Sequence, residues 1–217
     1  MLHEGRLESQ ARANPFAWEG DEENILHCIE QLLENNPDYN WIGDIGMYYI
    51  NYVDAILRKY PDTRFICMQR PEEEMVQSYL KWTPKKNHWI VHDGTTWQHD
   101  SRWDKAYPKF ETTDKKDALH QYWTFYTQMT RELEDRLPGI VKVINLAEFN
   151  DQLCRESILD FIRYTGVRNS DSRVLENSYK HKKYAVGRKK IHNLFWSMKR
   201  KLVGSPGHRW FMKKRPV

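Results

Sequence analysis

The sequence predicts an α/β fold, a parallel sheet flanked by helices, and two observations carry that prediction. RFICMQ (64–69) and IVKVINL (140–146) are short, nearly continuous apolar runs of the kind buried on both faces of a parallel sheet. The segments around them place apolar residues at helical spacing, so strand and helix alternate along the chain.

The first helix is expected over 21–35, DEENILHCIEQLLEN. Asp21, Glu22 and Glu23 suit its positive end, and Ile25, Cys28, Ile29, Leu32 and Leu33 form one face. A turn at NPDYN leads to a very short strand at 41–43, and a second helix follows over about 46–59 with Tyr49, Tyr52, Val53, Ile56 and Leu57 on its apolar side. After the YPDT turn and the strand at 64–69, Pro71 takes the first position of a helix, where its missing N–H costs nothing. Glu72, Glu73 and Glu74 fill the first turn, and Met75, Val76, Tyr79 and Leu80 give the stripe. Periodicity then lapses from 81 to 113, a length that marks a lid or binding segment. It resumes in a helix over 114–136, ended by Pro138-Gly139, then the strand at 140–146 and a helix over 156–166 stopped by Gly166.

A chain of 217 residues suffices for one domain with a substantial core. No apolar run reaches the roughly 18 residues that span a bilayer, and residues 1–20 lack a signal-peptide core, so the expectation is a cytoplasmic protein. Cys28, Cys67 and Cys154 sit in apolar patterns without CxxC spacing and read as buried thiols. Nine histidines are scattered without paired spacing, so no metal is expected. Charge is uneven. Residues 163–217 hold 16 lysines and arginines against Asp171 and Glu176, a net +14, which leaves −10 on residues 1–162. Such a tail implies an anionic partner: a nucleotide, a polyanion, a nucleic acid or a membrane surface.

Arg70 stands where the strand at 64–69 ends, at the edge where open α/β sheets bind ligands, and the next helix N-terminus favours anions. Ser78 follows two turns into that helix. Taken alone, the two read as a surface arginine and a helix serine.

The stretch RFICMQRPEEEMVQSYLKW (64–82) resembles the 3′-phosphate-binding motif of sulfotransferases that use 3′-phosphoadenosine-5′-phosphosulfate (PAPS). That motif is a strand, an arginine with a proline, and a helix with a serine eight positions after the arginine, then an aromatic; Arg70, Pro71, Ser78 and Tyr79 fit it. WIGDIGMYYINYVDAILRKYPDTRFI, ALHQYWTFYTQM and VKVINLAEFNDQLCRESILDFIRYTGV are similar to other family segments in the same order, covering roughly 40–167. The resemblance is to carbohydrate and bacterial members. It implies a P-loop-kinase-like fold over 1–169, with 81–113 as lid or substrate segment and 170–217 as a basic extension. It also implies PAPS as co-substrate and sulfuryl transfer to a hydroxyl of an acceptor such as a carbohydrate.

The family opens with a strand and a Lys-Gly-Thr type turn that binds the 5′-phosphosulfate, and no such element precedes residue 40. The fold is therefore expected to miss its first strand, leaving an empty sheet position, an exposed edge open to a second copy, and little turnover. HDGTTW (92–97) has the look of that turn without its lysine, and reads better as part of the substrate-side lid with RWDKAYPKF. By the resemblance Asp44 takes the acceptor's proton; by its position it equally caps the next helix. Lys182, Lys183, Gly187, Arg188 and Lys189 loosely resemble the loop that closes over the 3′-phosphate, or form a solvated basic face. Trp82, Trp89, Trp97 and Trp103 are either a stacking platform for a sugar ring or packing of an irregular loop. A rival reading is a non-enzymatic module whose basic tail holds a polyanion or nucleic acid.

Overall fold

The structure, a computed structural model, describes residues 15–166, Arg168 and the backbone of 209–213. Its centre is β2 (Arg64–Gln69), whose side chains alternate between two apolar layers. Phe65 and Cys67 enter a large cluster shared with α1 (Glu22–Glu34), α2 (Val53–Lys59), α3 (Glu72–Trp82) and α4 (Lys115–Arg136). Ile66 enters a smaller one with Phe149, Ile158 and Ile162, under α5 (Gln152–Phe161). A strand buried on both faces needs apolar residues at both parities, and RFICMQ has them.

β3 (Val141–Asn145) pairs parallel to β2, with Phe65 opposite Val141 and Gln69 opposite Asn145. Its Val141 faces the large cluster and its Ile144 the small one. α4 lies over this pair. Gln69 donates to Thr130 Oγ1 at 2.9 Å, and Glu134 accepts from the Val143 N–H at 2.7 Å. The second bond satisfies a donor on a strand at the sheet's edge, where an unpaired N–H invites other chains.

The sheet has four strands in the order β1-β4-β2-β3, with β1 at Trp41–Ile42 and β4 at Arg209–Lys213. β4 is antiparallel to both neighbours: Trp41 is opposite Lys213, and Arg64 opposite Phe211. β1, β2 and β3 therefore run the same way, and the expected parallel sheet is a mixed one whose parallel pair is β2 and β3. The expected vacant position beside β2 is filled by residues of the chain's own basic extension. This pairing joins residues that no local pattern relates.

Four helix boundaries move for local reasons. The second helix begins as a 3₁₀ helix (Met47–Tyr52) before α2, and Pro71 is the cap of α3 rather than its first residue, with ψ at 138°. α5 starts earlier than expected because the Asp151 carboxylate accepts from the Leu153 N–H. It stops at Phe161, ahead of Gly166, with Arg163 in the left-handed region at φ 55°. No helix among the described residues is long and apolar enough to cross a membrane.

Candidate functional site

The C-terminal end of β2 is tied to α4. Trp123 Nε1 donates to the Arg70 carbonyl at 2.8 Å, and His120 Nδ1 lies 2.6 Å from Glu72 Oε1. Pro71 and this clamp fix the turn, so the Arg70 side chain leaves an anchored backbone into solvent. Its guanidinium has no ion pair among the described residues, and its charge reaches half-buried Tyr79. Burial pushes the Tyr79 phenol up, with a hydrogen bond to Tyr107 and Arg70's charge opposing. Ser78 is half-buried two turns along α3. The three glutamates of the first turn offset the helix's attraction for anions, so anion binding here falls to Arg70.

Asp44 lies apart from Arg70, in the irregular segment that follows β1. Ile42 stands opposite Met212 and Arg64 opposite Phe211, so β1 ends near the Arg64 end of β2, away from Arg70. The Asp44 side chain is 4% exposed and accepts a short hydrogen bond from the Tyr49 hydroxyl. The cap of the following 3₁₀ helix is Gly46, so Asp44 does not hold that cap position. Burial first, and the Asp44 charge second, push the Tyr49 phenol well above its usual range.

The segment between α3 and α4 has one turn of 3₁₀ helix (Asp104–Ala106) and is otherwise irregular, yet its middle is core. Trp89 is 0% exposed, with ring centroids 4.9 Å from Tyr79 and 4.8 Å from Tyr107. It packs between α3 and α4 and presents no stacking face. Trp97 is half-buried against Lys115, whose Nζ is 5.6 Å from its ring centroid. Trp82 is 52% exposed and Trp103 is half-buried. They share a cleft of about 420 Å³ with Lys85, Lys86, His88 and Tyr107.

This cleft lies at the C-terminal end of α3, some 16 Å of helix from Arg70. One wall is charged: Lys86 pairs with Asp100, whereas Lys85 is exposed without an ion pair among the described residues. Two indole rings with a lysine beside them suit a ring-shaped ligand bearing hydroxyls or a negative group. His88 is driven toward the neutral imidazole by burial, against the pull of Asp104 Oδ1 at 2.7 Å.

The structure thus separates residues that the sequence suggests as one constellation: Arg70 with Ser78 at one end of α3, Trp82 with Trp103 at the other, Asp44 in the core and Trp89 sealed. Lys182, Lys183, Gly187, Arg188 and Lys189 lie outside the described residues. Lys85, Lys86, His88 and Tyr107 were missed because they sit in the aperiodic segment; Pro84-Lys85-Lys86 was the one local hint. The expectation of no metal rested on linear spacing, and folding brings His92, His99 and Asp104 together. Comparison with models of protein families, with curated proteins and with solved structures finds no match to the chain.

Proposed function

We propose that this protein is sulfotransferase-like and binds the 3′-phosphate of PAPS, or of its product 3′-phosphoadenosine-5′-phosphate, at the mouth of β2. The carrying observation is Arg70: an exposed guanidinium without an ion pair among the described residues, on a backbone clamped by Trp123 at the C-terminal end of a buried strand. Ser78 is the accompanying donor in this reading; Asp44, 4% exposed, bonded to Tyr49 and not in the wall of the cleft, is closed to an acceptor. The hydroxyl-bearing acceptor, a carbohydrate by the chemistry of its walls, takes the Trp82–Trp103 cleft. In the transfer, the acceptor oxygen bonds to sulfur as the bond from sulfur to the bridging phosphate oxygen breaks, and the hydroxyl proton leaves to water.

Calorimetry with the 3′,5′-bisphosphate nucleotide tests it. Binding is expected at micromolar affinity, weakened at least about 10-fold in Arg70→Ala, in line with loss of a charge-assisted contact. No binding, or equal binding by Arg70→Ala, removes the site.

A further inference from the structure

We infer that His92, His99 and Asp104 form a binding site for a divalent transition-metal ion, with zinc as the natural probe. This inference is independent of the nucleotide reading. The three side chains bring one ligand atom each within 4.8 Å of one another. His92 Nε2 and His99 Nδ1 both stand 3.8 Å from the same oxygen, Asp104 Oδ2. That exceeds a hydrogen bond, and it is close to the roughly 3.4 Å that separates ligand atoms around tetrahedral zinc.

The two imidazoles converge on one carboxylate. The His92 side chain is only 7% exposed; its Nε2 faces Asp104, and its buried Nδ1 has no hydrogen-bond partner among the described residues. It stacks on His99 with ring centroids 4.7 Å apart, placing two basic rings at one carboxylate. His99 is 63% exposed on its side chain, so its ring can turn the few tenths of an ångström that coordination needs.

The surroundings fix the carboxylate. Asp104 Oδ1 faces His88 Nδ1 at 2.7 Å, and Oδ2 accepts from the Asp100 N–H at 2.7 Å. Such outer contacts orient metal-ligating carboxylates. The turn that returns His99 onto His92 is equally specific. Asp93 accepts from the Thr95 N–H at 2.9 Å, and Gly94 has φ +85°. A Cβ on Gly94 would meet His99 Cδ2 at 2.4 Å, so only glycine lets the ring lie there. HDGTTW is thus the hairpin of a His-turn-His pair rather than a phosphate loop. Three protein ligands leave one position of a tetrahedron for water or another group, and binding would tie the cleft wall through His88 to the hairpin.

Calorimetry and thermal unfolding of the full chain with zinc chloride, plus visible absorption with cobalt(II), test the site. The expected results are one equivalent bound at micromolar affinity, a melting point raised by several degrees, and cobalt bands of tetrahedral intensity. His99→Ala, an exposed change that leaves the packing intact, should cut affinity at least 10-fold and abolish the cobalt bands. His27→Ala, an exposed histidine on α1, should change nothing. Zinc uptake that survives His99→Ala, or no uptake by the wild-type chain, overturns the proposal.

Discussion

Lys115 sits where burial and charge oppose each other most openly. Its ammonium donates to the Thr83 carbonyl and, at 2.8 Å, to Thr83 Oγ1, yet burial pushes it from 10.5 down to about 8. Below pH 8 folded and unfolded chains both carry the proton, and folding desolvates a charge. Between about 8 and 10.5 the unfolded chain holds more protons, so this residue's contribution to stability rises with pH. Cys67, pushed up to about 12 from 9.0, contributes with the opposite sign at higher pH, which makes the difference between variants the proper measure. Urea midpoints of wild type and Lys115→Met at about pH 7 and about pH 9.5 should show wild type gaining on the variant as pH rises. An unchanged difference would mean that Lys115 titrates as an ordinary lysine. Arg70 is the counter-case, a charge kept in water on a rigid backbone.

Among the elements, β4 has most to lose from a single change. It bridges β1 and β2, and a proline inside such a strand removes a ladder donor and wedges its neighbours. Phe211→Pro should therefore cost about 3 kcal/mol and detach β1, read as a lower urea midpoint and faster amide exchange at 41–42. Unchanged exchange there would place β1 on the body without β4. The elements legible in the sequence were those with their own periodicity: the strand at 64–69 came out at its observed bounds, and the helices ending at Glu34 and Arg136 within a residue. β4 was illegible because a five-residue strand flanked by lysines and arginines looks like any basic tail. Its place is set by β1 and β2, more than 140 residues earlier. Arg70 could be singled out because its meaning lies in the strand–proline–helix order. The grouping of His92 with Asp104 could not, because it depends on how an aperiodic loop closes.

For the whole molecule, charge separates two readings that the fold alone leaves together. If the basic tail holds a polyanion independently of Arg70, heparin binding should weaken steeply with salt and remain unchanged in Arg70→Ala. Replacing Lys182, Lys183, Arg188 and Lys189 by glutamine should then lower the slope of log affinity against log salt by about 3, while sparing β4. A nucleotide site at β2 predicts the reverse ranking of these variants. The position of β4 has a further consequence, in time rather than space. Residues 209–213 are synthesised after every other described element, yet they lie between two strands made long before. Until they emerge from the ribosome, β2 has an open flank and β1 no partner, so the nascent chain passes through a stage with two bare strand edges. Completion of the sheet therefore waits for residues 209–213, and a holding chaperone would act in that interval.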